Sequence, residues 1–249
     1  MNASIVTHVM RRTAAGIGVV AVLALTSACS SAAPEPSPSA SPSSSPSPSI
    51  ASDVPLEEQL FDALRAGDVD LTTALLEAGA DVDAPLPNES TAIGIAVVRN
   101  EPGLVAAVLT ADPDLAVVNA DGLPLLNAAC FQGVSGEVME LLLDAGAQSD
   151  SVSPDDVGSL PIHECAYSGS SDAIDALIEH GVDVNARQAI YEGTALIVAA
   201  WQGDVDLVHH LLDLGADPTL TTNDGTTASK WARVGGDQDL AYLLVTLGG

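Results

Sequence analysis

The sequence predicts an all-α repeat protein: a solenoid of about six helix-turn-helix units joined by β-hairpin-like fingers. Three observations carry that expectation. Gly67, Asn100, Gly133, Gly169, Gly203 and Gly236 recur at spacings of 33, 33, 36, 34 and 33 residues. A second marker runs 12 residues behind, at Gly79, Asp112, Gly146, Gly181, Gly215 and Gly248, with one extra residue in the third unit. Each period also carries small apolar residues before the first marker and an aliphatic pair before the second. A fixed period in the low thirties marks a stacked array, whose units bury their apolar faces only against one another.

The first helix of each unit is read in turn from Phe61–Leu64, Ile95–Val97, Asn127–Cys130, His163–Ala166, Val198–Ala200 and Trp231–Ala232. The second helices end in Leu75-Leu76, Val108-Leu109, Leu142-Leu143, Leu177-Ile178, Leu211-Leu212 and Leu244-Val245. Leu71, Leu104, Val138 and Leu207 stand four or five residues ahead of their pairs, which gives each second helix one apolar face. The marker glycines suit the left-handed residue that ends a helix. Asp68 and Asp204 follow their glycines directly and suit the N-cap of the next helix. Neither helix of a unit is long enough to be stable alone. Turn signals separate the units: Asp81-Val82-Asp83, Asn119 to Gly122, Asp183-Val184-Asn185 and Asn223-Asp224-Gly225.

Helix, turn, helix and a turn-rich finger every 33 residues resembles the ankyrin repeat. Gly79-Ala80-Asp81 and Gly215-Ala216-Asp217 match that family's terminal Gly-Ala-Asp, and Gly181-Val182-Asp183 is close to it. Leu160-Pro161-Ile162-His163 approximates its Thr-Pro-Leu-His segment, with the threonine lost. Thr194-Ala195-Leu196, Pro124-Leu125-Leu126 and Thr227-Ala228-Ser229 are weaker versions. The resemblance covers residues 54–249, with units near 54–85, 86–119, 120–153, 154–187, 188–221 and 222–249. Units one and six are read as caps, with no further domain after Gly249.

Ahead of the array, Arg11-Arg12, an apolar run from about Gly16 to Leu25 and small residues up to Ala28 read as a secretory signal over residues 1–28. The apolar run is short for a bilayer span. Leu25-Thr26-Ser27-Ala28-Cys29 resembles a bacterial lipoprotein lipobox, which implies lipidation of Cys29. Thr26 stands where leucine is usual, so cleavage after Ala28 without a lipid is the other expectation. Residues 29–53 are a Ser/Pro/Ala-rich tether that cannot bury a core. About twenty such residues at ~3 Å each reach roughly 60 Å. The expected location is the extracytoplasmic face of the cell membrane, lipid-anchored, or secreted if the lipobox is not used.

Beyond the signal segment, 34 acidic residues face Arg65, Arg99, Arg187, Lys230 and Arg233, a balance near −29. That charge repels nucleic acid and anionic lipid, so membrane contact is expected only through the anchor. A basic protein partner fits it, although solubility alone also explains an acidic exported surface. Cys130 and Cys165 fall at adjacent small-residue positions of units three and four. Equivalent positions in neighbouring ankyrin repeats lie about 10 Å apart, beyond disulfide reach, though the one-residue offset between these two narrows the gap. An oxidising compartment permits a bridge, but buried free thiols are the default expectation.

His163-Glu164-Cys165 offers a base, an acid and a nucleophile, but successive helix residues point about 100° apart and cannot converge. The resemblance instead gives His163 the family's structural role, bonding loop backbone. His209-His210 lack a third ligand, the Asp150–Asp156 finger lacks the spacing of a calcium loop, and no phosphate-cradling loop occurs. The sequence therefore predicts no enzyme, cofactor or metal site.

A partner site is legible in the register. Two residues before each marker stand Arg65, Val98, Phe131, Tyr167, Trp201 and Val234, so three of seven aromatics share one position in consecutive units. The next residues, among them Arg99, Gln132, Ser168 and Gln202, add polar groups, and Tyr191 extends the surface from a finger. In the ankyrin family this helix end faces the concave groove. Rigid aromatic area with orienting polar groups is what a binding hot spot needs. Two long fingers, Gln148–Gly158 and the one before Tyr191, flank the row. The expected function is a monomeric, membrane-tethered scaffold that binds a protein, such as an envelope enzyme. An acidic structural or solute- and cation-capturing protein is the second expectation.

Overall fold

The computed structural model describes residues 50–51, 53–86, 90–155 and 157–248. The expected signal, Cys29 and nearly all of the expected tether lie outside the described residues.

Among the described residues the chain forms twelve helices in six pairs and no extended strand. The pairs are α1 (Leu56–Ala66) with α2 (Val69–Glu77), α3 (Ala92–Arg99) with α4 (Pro102–Leu109), and α5 (Leu125–Gln132) with α6 (Gly136–Asp144). Then come α7 (Pro161–Ser168) with α8 (Ser171–Glu179), α9 (Ala195–Gln202) with α10 (Val205–Asp213), and α11 (Ala228–Gly235) with α12 (Gln238–Gly248). The all-helical repeat expectation is borne out. The fingers are thinner than hairpins: isolated bridges join Leu86 to Ser90, Val118 to Pro124 and Thr221 to Thr227.

Local chemistry sets these boundaries. Asp68 Oδ1 accepts from the Leu71 amide at 2.9 Å and Asp204 Oδ1 from Leu207 at 3.0 Å, so both act as N-caps. Two markers are not glycine yet still need a left-handed backbone, and the polar Asn100 (φ 52°) and Asp112 (φ 54°) supply it. At the N-terminal end the Gln59 amide exchanges hydrogen bonds with Ala51 at 2.8 and 2.9 Å, which fastens residues 50–51 to α1.

The core is a row of junctions between successive pairs. Leu64, Leu75, Leu104, Leu126, Leu142, Ile174, Leu177 and Leu196 are all but inaccessible to solvent. Each such side chain contributes about 1.5–3 kcal/mol by leaving water. Small residues let the first helices approach. Four residues before the marker stand Ala63, Ala96, Ala129, Cys165, Ala199 and Ala232, all buried.

One expectation is corrected here. Cys130 and Cys165 are not free thiols but a disulfide, with Cα atoms 4.4 Å apart. The 10 Å estimate compared equivalent positions. Cys130 lies three residues before its marker and Cys165 four before its own, and that offset brings the two side chains face to face across the α5–α7 junction.

Candidate partner-binding groove

Because each first helix ends at a left-handed marker, the residue two positions earlier occupies its last turn in every unit. Val98 is 64 % exposed and Val234 50 % exposed, while Phe131, Tyr167 and Trp201 are half-buried. The structure brings two of the aromatics together: the Tyr167 and Trp201 rings stack with centroids 6.3 Å apart and planes 16° from parallel. At the start of the row, the Arg65 guanidinium lies 5.5 Å from the Phe61 ring centroid.

The neighbouring polar row has a second duty. Arg99 Nη1 donates to the Arg65 carbonyl at 2.6 Å, and Gln202 Nε2 donates to the Tyr167 carbonyl at 3.1 Å. In unit six the same position is Gly235, where a Cβ would stand 3.0 Å from the Trp201 carbonyl oxygen. Arg99 thereby ties α3 to α1, and Gln202 ties α9 to α7. Arg99 is further held by Glu101 at 2.6 Å, so its charge is largely spent within the array. Ser168 Oγ bonds the Cys165 carbonyl, and Gln132 is exposed.

Tyr191 does not extend the surface. It is 9 % exposed and meets Trp231 edge-on with centroids 6.4 Å apart. Burial raises its phenol pKa, partly offset by a hydrogen bond with Thr222. Its neighbour Ile190 stands out instead, 59 % exposed, with Val118 and Val152 on the two preceding fingers. Sequence reasoning passed over these aliphatic tips because no aromatic marked them.

The two long fingers are built rather than loose. Asp155 Oδ1 accepts from the amides of Val157, Gly158 and Ser159, which closes the turn. Ala189 and Ile190 then donate to the carbonyls of Gly158 and Val157, and Asn223 donates to the Tyr191 carbonyl. Numbering each finger by the repeat whose first helix it precedes, fingers four, five and six thus form one hydrogen-bonded lattice. Between fingers three and four lies a cavity of about 150 Å³ lined by Leu115, Val117, Val118, Pro124, Leu125 and Gln148.

His163 sits beneath this lattice. Its Nε2 faces the Ala186 carbonyl at 3.0 Å, so it carries the proton, and Nδ1 accepts from the Leu160 amide at 3.1 Å. Burial pushes its pKa down from 6.5 to about 4, against the hydrogen bonds that favour protonation. It is a neutral structural strut. With Glu164 buried and Cys165 bridged, His163–Cys165 offers no exposed nucleophile. On the second helices, His180 Nε2 meets Asp144 at 3.0 Å and His210 Nε2 meets Asp175 at 2.7 Å, each across a unit junction. The Asp144 carboxylate raises the His180 pKa. Among the described residues no group of three or more His, Cys, Asp or Glu could hold a metal.

A family profile described as ankyrin repeats, in three copies, matches residues 95–188 and 126–222, together over half of the 249 residues. The chain belongs to the ankyrin repeat family. The ankyrin repeat protein nuc-2 of Neurospora crassa is 31 % identical over 181 residues, 72 % of this chain and 16 % of that protein. The B-cell lymphoma 3 protein homolog of Mus musculus is 32 % identical over 169 residues, 66 % of this chain and 37 % of that one. An ankyrin repeat-containing protein of Treponema pallidum is 31 % identical over 141 residues, 57 % of this chain and 46 % of that one. The chain thus spans less than half the length of each of these relatives. Among solved structures, the ankyrin repeat domain of Bcl-3 superposes with a TM-score of 0.67 at 22 % identity, covering 80 % of this chain and 87 % of that one. That likeness shows the fold. Ankyrin repeat domains are typically protein-binding scaffolds and generally not catalysts.

Proposed function

We propose that this ankyrin repeat protein is a scaffold held on the extracytoplasmic face of a membrane, through Cys29 and the Ser/Pro/Ala-rich tether, that binds another protein without catalysis of its own. The observation that carries the reading is the row Phe131, Tyr167 and Trp201, one aromatic at one register position in three consecutive repeats, with two rings stacked. Val98 and Val234 continue it at both ends, and the apolar finger tips Val118, Val152 and Ile190 lie on the three fingers that precede those same repeats. Aromatic area of this kind supplies most of the energy in a protein interface. Residues 100–186 contain no Lys or Arg, so a partner bearing basic side chains meets no repulsion across repeats three and four.

The test is an affinity capture from the envelope of the host with residues 30–249 as bait, beside a Phe131→Ala/Tyr167→Ala/Trp201→Ala control. A protein retained by the native array and lost by the control supports the groove. Equal retention by both baits sinks it. The second reading, capture of cationic solutes by surface charge, draws on the same cation-free stretch. Salt separates the two, because charge capture collapses at high ionic strength and an aromatic contact weakens little. Membrane attachment is tested independently by replacing Cys29 with Ser and following the protein from the membrane fraction to the soluble one.

A further inference from the structure

The Cys130–Cys165 bond does more than fill space. Four positions before the marker, five of the six repeats use alanine, and that suffices to pack each junction. Packing therefore does not demand cysteine at position 165. What cysteine adds is a covalent option, and both cysteines of the repeat array are placed where they meet each other, fully buried. The junction they span is already a close one: a Cβ on Gly136 of α6 would stand 3.0 Å from both the Cβ and the carbonyl oxygen of Asp172 in α8. Phe131 follows Cys130 directly and Tyr167 lies two residues beyond Cys165. On the finger side a cavity lined by Val118 and Gln148 lies between the same two repeats, bridged there by Asn127 Nδ2 donating to the Ser159 carbonyl at 3.2 Å. Among the described residues the backbone-to-backbone bonds that lace fingers four to six have no counterpart between fingers three and four.

We propose that this disulfide is a redox-sensitive lock that joins repeats three and four into one rigid pair. While closed it holds α5 against α7 and keeps the aromatic row in line. Opened, it leaves the junction to its apolar packing alone, between two runs of three repeats, about the smallest number that sustains a repeat fold. Opening needs a dithiol reductant. Its two S–H hydrogens pass to the cysteine sulfurs as the protein S–S bond breaks, and the dithiol closes to its own disulfide. Because both sulfurs are buried, the dithiol attacks only when the α5–α7 junction has already parted, so the lock is slow to open in the folded array.

The test is hydrogen exchange read by mass spectrometry on the full chain in three forms: oxidised, reduced by a dithiol, and Cys130→Ala/Cys165→Ala. Alkylation under denaturing conditions first establishes whether the bond is present in the oxidised form. Reduction and the double variant should each speed amide exchange in residues 125–132 and 161–168 at least tenfold, with exchange in α1, α2, α11 and α12 unchanged. A free thiol at both positions in protein from an oxidising compartment would overturn the proposal. So would exchange that is unaltered, that rises evenly over all six repeats, or that reports complete unfolding of both reduced and double-variant forms. The result does not depend on any partner, and so stands or falls apart from the scaffold reading.

Discussion

Acidification should unlatch the array at a single buried imidazole. His163 has a pKa near 4 in the folded chain and an ordinary value of 6.5 when unfolded. The folded state resists the charged form, so the stabilisation is complete above pH 6.5, falls as the pH drops from 6.5 towards 4, and is lost below. That gap, at about 1.4 kcal/mol per pH unit, amounts to about 3 kcal/mol in full and about 2 kcal/mol by pH 5. Against a typical domain stability of about 5–15 kcal/mol this is a large fraction. Urea unfolding from pH 7.5 to 4.5 measures it, on the native chain beside His163→Gln. The variant cannot titrate there, so it should be less stable at pH 7.5, and the difference between the two should shrink by about 2 kcal/mol by pH 5. His180 acts with the opposite sign, since its raised pKa gives stability that is present in acid and lost as the pH rises. It is common to both proteins and cancels in the difference. Parallel stability curves for the two proteins would refute the argument.

Other perturbations follow from the packing. Gly158→Ala should cost about 1–3 kcal/mol in thermal or urea unfolding, because φ there is +71° and the new Cβ would stand 2.8 Å from that of Ala189. Ile174→Ala, at a fully buried position, should cost about 2–5 kcal/mol by the same assay. Thr72→Val should instead stabilise by roughly 1 kcal/mol, since Thr72 Oγ1 is buried with no hydrogen-bond partner among the described residues. Asp204→Ala removes a cap and should cost about 0.5–2 kcal/mol, seen first as faster exchange in the opening turn of α10.

The fold was legible because each unit repeats the same local choices. Glycine or a polar stand-in at the helix end, aspartate at the next N-cap and aliphatic pairs in the second helix all point the same way, and agreement across levels is what specifies a structure. Side chains that act between repeats were harder to read. Arg99 and Gln202 looked like free polar groups, yet each donates to a carbonyl about one period upstream, a partner set by stacking geometry rather than by neighbours in sequence. Tyr191 looked like a finger-tip aromatic, but it lies buried edge-on against Trp231, a residue of the next repeat, and leaves Ile190 outside. The disulfide was underrated for the same reason: the one-residue offset was visible, but how far it closes the gap between two helices is set by stacking geometry.

The bridge also alters how the molecule would bear a load. Cys130 and Cys165 are 35 residues apart in sequence and 4.4 Å apart in space. A drawn-out chain advances about 3.4 Å per residue, so roughly 120 Å of potential extension is shorted out at the middle of the array. Tension applied between the ends would run through α5, across the sulfur atoms and on into α7, bypassing α6 and the long fourth finger altogether. Repeats one and two could be peeled away, and so could five and six, while the segment between the cysteines stayed slack.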